Sequence, residues 1–143
     1  YNSETQILEY SGDYNWMFLI TKREIEKNKK IRTYSLDNQE KTLYEFRADR
    51  MPIGVFIIEM QDFSKHTIKL EKDDRIYIFS DGYPDMYDRE KGLKFTTQMF
   101  KELLLETSDV DMKSQSDKLE EVYIHWCRGG KQIDDIIVIG IEV

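Results

Sequence analysis

Through the first eighty residues, short apolar runs alternate with polar positions at a period of two, the mark of strands half-buried in a sheet. Residues 5–10 and 16–21 read as two strands broken by Ser11-Gly12-Asp13-Tyr14-Asn15. Residues 22–30 carry Lys22, Arg23, Glu24, Glu26, Lys27, Lys29 and Lys30, and are expected to form an exposed hairpin loop. Residues 31–36 alternate weakly, Asp37-Asn38-Gln39 turns the chain, and residues 42–46 resume a strand. Pro52 and Gly54 mark a bend ahead of the apolar run 55–58. His66, Ile68 and Leu70 then alternate with Thr67 and Lys69, and Glu71-Lys72-Asp73-Asp74 turns into the strand 75–79. Beyond it the period becomes helical. Phe95, Met99 and Leu103, with Phe100 and Leu104, share a stripe that predicts a helix over 96–107. Leu119, Val122, Tyr123 and Trp126 predict a second helix, with Ser114 as its N-cap, Asp117 in its first turn and Gly129-Gly130 as its stop. The run 136–141 is apolar on both faces and is expected to be a central, covered strand. Many strands, two helices and a last strand predict an α+β fold of antiparallel β-sandwich layers flanked by helices.

Two strand mouths carry carboxylates. The strand 75–79 runs into Ser80-Asp81-Gly82-Tyr83-Pro84-Asp85, and Ile133-Asp134-Asp135 opens the strand 136–141. Asp-Gly is a common turn, and an Asp can cap the Gly129-Gly130 turn, so each motif alone has a purely structural reading. Taken together, Asp81 and Asp134 converge if their strands lie side by side. Converging carboxylates without Cys or His favour hard ions, Mg²⁺ or Mn²⁺.

Composition narrows the choice. A chain of 143 residues with 40% hydrophobic and 34% charged content is sized for a single soluble domain with its own core. The net charge of −7 lies wholly in the second half: residues 1–72 balance 12 Lys+Arg against 12 Asp+Glu, whereas residues 73–143 carry 9 against 16. That argues against a nucleic-acid binder, which needs a basic surface. No apolar run suits a membrane helix, and the single Cys127 points to a reducing, cytoplasmic setting. Cys127 beside Trp126 reads as packing, His125 as solvent-facing and His66 as strand-lining. The nine Tyr and seven Phe read as core, and Arg47 and Arg50 around Asp49 as solvated ion pairs. Tyr1 in place of Met is consistent with a piece of a longer protein.

Ser-Asp-Gly at the end of a strand, a helical region, then Asp-Asp-Ile opening the last strand resembles the C-terminal part of the PPM-type metal-dependent protein serine/threonine phosphatases, in particular their SpoIIE-like branch. Further segments are similar to that branch: Leu8-Glu9-Tyr10-Ser11-Gly12 with Tyr14-Asn15, Pro52-Ile53-Gly54, Leu70-Glu71-Lys72-Asp73-Asp74 and Lys91-Gly92-Leu93-Lys94-Phe95. The resemblance implies that Asp81 and Asp134 ligate metal in a two-metal Mg²⁺ or Mn²⁺ centre. It further implies that Gly82, Asp85 and Asp135 serve as a secondary metal or supporting shell. It also implies hydrolysis of phosphoserine or phosphothreonine on a signalling regulator, often an anti-sigma-antagonist-type protein. An N-terminal sensor region would control it, and a homodimer is compatible with it.

The chain departs from the pattern in one important place. The family's Gly-Gly-Asp segment and Asp-Gly-His-like turn, whose Asp bridges both metals, have no counterpart in these residues. Asp13 and Trp16 also stand where relatives usually have a small residue and a Pro. The expectation is therefore residues 1–143 as the C-terminal portion of a phosphatase domain, lacking the N-terminal metal-bridging half and weakly active or inactive alone. The alternative is a non-catalytic pseudophosphatase or partner-docking module.

Overall fold

The computed structural model describes residues 1–37, 39–49, 62–88, 92–127 and 134–143. Among these residues, nine strands and two helices follow in the order β1 (Ile7–Tyr10), β2 (Met17–Thr21), β3 (Ile31–Ser35), β4 (Thr42–Phe46), β5 (His66–Lys69), β6 (Arg75–Phe79), β7 (Tyr87–Asp88), β8 (Leu93–Lys94), α1 (Thr97–Glu106), α2 (Met112–Trp126) and β9 (Val138–Glu142). The expected α+β class holds, and every strand pairing is antiparallel. The Pro52-Gly54 bend with Arg50 and the run 55–58, the Gly129-Gly130 stop, and Asn38, Lys91, Gln132 and Ile133 fall outside the described residues.

The main sheet has the order β3-β4-β2-β6-β9, so β2 is central and all five of its residues are buried. Its side chains split by parity, as a pleated strand requires. Phe18 and Ile20 join Leu43, Tyr77, Phe79, Phe100 and Leu104 beneath the helices, whereas Met17 and Leu19 join Tyr44, Phe46 and Ile76 on the opposite face. Part of that opposite face is roofed by the two-stranded β1-β5 sheet, through Leu8, Tyr10, Ile68 and Leu70. The strands predicted at 5–10 and 16–21 thus lie in different sheets. The charged segment after β2 is not a hairpin either, because β4 lies between β2 and β3.

Helix α1 starts at Thr96, whose side chain accepts from Met99 N–H at 3.2 Å. Helix α2 is capped by Asp111, not Ser114; Ser114 sits in the first turn and both its N–H (2.9 Å) and its hydroxyl (2.6 Å) donate to the Asp111 carboxylate. Such a cap stabilises its helix by about 1 kcal/mol. A buried polar bridge joins the two helices to the sheet. Tyr77 donates to Gln115 Oε1 at 2.8 Å, and Gln115 Nε2 donates to Leu104 O at 3.2 Å and Thr107 Oγ1 at 2.9 Å. Gln115 is wholly buried, and its satisfied amide is what makes that burial tolerable.

The last strand departs most from expectation. Among the described residues β9 is an edge strand, not a central one, and pairs with β6. Opposed residues share a face in an antiparallel pair, so Ile139 opposite Ile78 and Ile141 opposite Ile76 lie on the face away from the helices. Among the described residues the β1-β5 roof does not reach this edge: Ile78, Ile137, Ile139 and Ile141 are each between 40% and 56% exposed. Apolar residues on both faces had suggested double coverage; among the described residues Val138 packs against the helix-side core, and the other four residues of β9 are exposed. Among the described residues, no helix is long and apolar enough to cross a membrane.

His66 gives the fold a pH sensitivity of definite sign. It is 7% exposed, packs edge-on against Phe46 with ring centroids 5.4 Å apart, and its Nε2 is buried without a hydrogen-bond partner. Burial pushes its pKa below the usual value, aided by the Lys30 charge and opposed by a backbone hydrogen bond at Arg47 and by Asp49. Below about pH 6.5 the unfolded chain takes up a proton that the folded chain resists. Stability is therefore complete above that pH and falls as pH drops through it. Melting temperatures between pH 7.5 and 5.5 should decline less steeply for His66→Leu than for the native chain; equal slopes would show that His66 is not the sensitive group.

Candidate active site

The mouths of β6 and β9 meet. The ladder pairs Phe79 with Val138 and continues one step further, with Ser80 N–H donating to Ile137 O at 3.0 Å. The Ser80 hydroxyl donates to Asp135 O at 2.8 Å and accepts from Ile137 N–H at 3.0 Å. Gly82 lies so close that a Cβ built on it would stand 2.4 Å from Asp135 O. Asp81 and the pair Asp134-Asp135 are thereby brought to one edge of the main sheet, and all three are exposed. The condition the sequence set, that the two strands lie side by side, is met.

The Asp81 turn is rigidly founded. Asp85 N–H donates to Asp81 O at 2.9 Å, and Tyr83, Pro84 and Met86 are buried beneath it. Tyr83 packs on Phe100 and Phe95 with ring centroids 4.9 and 5.7 Å away, and its hydroxyl donates to Leu119 O on α2 at 2.8 Å. Burial pushes that hydroxyl far above the usual tyrosine range, so it acts as a fixed donor and not as an acid. Opposite, Asp134 Oδ1 accepts from Asp135 N–H at 2.8 Å, which constrains that side chain against its own backbone.

The remaining candidates divide clearly. The Asp85 carboxylate is engaged by Lys94 at 2.8 Å. Asp49 is tied to Lys30 and to Ser64, and the Lys30 hydrogen bond holds its carboxyl below the usual range. Arg47 stacks over Trp16 at 5.8 Å and reaches Glu45 at 3.8 Å. The Cys127 thiol packs against the helix-side core, and burial pushes its pKa up, the reverse of an activated nucleophile. His125 is exposed.

Exposed carboxylate oxygens with neither imidazole nor thiolate among them suit a hard divalent cation. Among the described residues no group of three or more His, Cys, Asp or Glu could hold a metal ion, so the edge fits such an ion as a partial ligand set.

The sequence matches the family model described as Stage II sporulation protein E (SpoIIE) over residues 30–143. The chain belongs to the SpoIIE family. Its fold is that of the SiaA-PP2C domain of Pseudomonas aeruginosa, with a TM-score of 0.74 at 16% identity. The superposition covers 98% of this chain and 48% of that one, so the SpoIIE-family chain spans about half the length of the domain it matches. No curated protein matches the sequence.

Two residues that shape this edge were not singled out by sequence reasoning. Ser80 stands inside the Ser-Asp-Gly motif but had been given no role apart from the turn. Tyr83 had been grouped with the other aromatics. A hydroxyl just past the end of a strand, next to a carboxylate, was the available signal for the first.

Proposed function

We propose that these residues form the C-terminal part of a metal-dependent phosphoserine/phosphothreonine phosphatase, with Asp81 and Asp134 holding Mg²⁺ or Mn²⁺. The observation that carries this reading is the paired mouth of β6 and β9, which sets both acidic motifs at one exposed edge. The chemistry supplied there by a bound divalent ion is Lewis-acid activation of water toward a phosphate ester. Carboxylates gathered at one edge repel a phosphoryl group, so substrate binding depends on their neutralisation by cations. Gly82 permits the close approach of the two segments, and Asp135 supports Asp134 through its N–H. Asp85, paired with Lys94, would reach a further, weaker ion only by giving up that partner.

The substrate we propose is a phosphorylated regulator protein of the anti-sigma-antagonist type, acted on in the cytoplasm under control of an N-terminal sensor region, with a homodimer compatible. A docking module without chemistry is the second reading, favoured by the partial ligand set among the described residues.

Metal removal separates the two. In the complete protein, EDTA should abolish hydrolysis of a phosphoserine peptide, and added Mn²⁺ or Mg²⁺ should restore it. Turnover that persists in EDTA rules out the metal-dependent reading; no turnover under any metal supports the docking module.

A further inference from the structure

We infer that Ser80 is a positioning residue that fixes how far apart, and in what orientation, Asp81 and Asp134 present their carboxylates. The inference rests on the proposed metal-binding role of those two residues. Among the described residues β9 lies at the edge of the main sheet, and its N-terminal end is held from the β6 side. Regular pairing ends at Phe79 and Val138. Beyond that point three hydrogen bonds from one residue do the holding: Ser80 N–H to Ile137 O at 3.0 Å, Ile137 N–H to the Ser80 hydroxyl at 3.0 Å, and that hydroxyl to Asp135 O at 2.8 Å.

Ser80 immediately precedes Asp81, and Asp135 immediately follows Asp134. The clasp therefore sits one residue from each carboxylate. A hydroxyl suits it because one oxygen both donates and accepts. Alanine would leave only the backbone bond. The released Ile137 N–H and Asp135 C=O belong to exposed residues and would be satisfied by water, so the loss falls on geometry more than on folding. Groups that orient metal ligands without touching the ion typically alter its affinity by about 10–100-fold.

The test is Mn²⁺ binding by the complete protein, read from the loss of the free-ion electron paramagnetic resonance signal, with amide hydrogen exchange at Ile137 as a second readout. Ser80→Ala should weaken Mn²⁺ binding by about tenfold. It should also speed exchange at the Ile137 amide, with the melting temperature almost unchanged. Ser80→Thr, which keeps the hydroxyl, should restore both readouts. Native Mn²⁺ affinity in Ser80→Ala, with Asp81→Asn abolishing binding, overturns the positioning role and leaves the metal site standing. Native affinity in Asp81→Asn overturns the metal assignment and the inference with it.

Discussion

In the complete protein, Asp81→Asn is expected to lower kcat for Mn²⁺-dependent hydrolysis of a phosphoserine peptide by about 10³-fold, equivalent to ~4 kcal/mol of lost transition-state stabilisation. The substitution keeps the size of the side chain and removes its charge. Asp81 is exposed, and its turn is held by backbone and aromatic contacts: Asp85 N–H on Asp81 O, and Tyr83 locked between Phe95, Phe100 and the Leu119 carbonyl. Its melting temperature should therefore stay within a few degrees of the native value, as for surface substitutions that cost about 0.5 kcal/mol or less. A steady-state assay beside a thermal melt checks both parts. Native turnover would remove Asp81 from the chemistry; loss of turnover with an equally large loss of stability would make it a structural residue.

Gly82→Ala should damage stability and metal binding together. The added Cβ meets Asp135 O at 2.4 Å, Asp135 C at 3.0 Å and Ile136 Cγ1 at 3.1 Å. Two of those three atoms are backbone and cannot rotate aside, so the two strand mouths must move apart. Forcing a methyl into packed space costs about 1–3 kcal/mol, which for a domain of this size lowers the melting temperature by roughly 3–9 °C. The same displacement separates Asp81 from Asp134, so Mn²⁺ affinity should fall in parallel. Calorimetry with a Mn²⁺ titration tests the pair of effects. An unchanged melt would mean that the close approach at Asp135 is absent in solution.

Local patterning carried the architecture well where one covered face was enough to leave a mark. The His66-Ile68-Leu70 alternation, the Phe95-Met99-Leu103 stripe and the Leu119-Val122-Tyr123-Trp126 stripe each landed on a strand or helix of the expected kind. Sheet order was not legible, because neighbours in the chain need not be neighbours in space: β2 and β3 are separated by β4. The last strand was misplaced for a related reason. An isoleucine-rich run announces that both faces are apolar, but whether a second layer covers the outer face depends on residues elsewhere. The α2 cap went to Asp111 and not Ser114 because two adjacent turns offered suitable oxygens, and only helix register decides between them. At the candidate site the carboxylates were visible as residue types, and their adjacency was conditional on the β6–β9 pairing that the structure provides. The Ser80 clasp was invisible, since its partners are backbone atoms 55 and 57 positions away.

The isoleucine stripe gives the carboxylate edge a boundary condition. Ile78, Ile137, Ile139 and Ile141 remain about half in water, and dehydrating the rest of their surface is worth roughly 3–5 kcal/mol in total. That is a sizeable fraction of the stability of an ordinary domain. The stability of these residues on their own is thus a floor that any covering layer raises. The stripe also begins at Ile137, two positions after Asp135, so a layer laid over it would end beside the acidic motifs. Shielding the apolar edge and walling one side of the acidic edge would then be a single event.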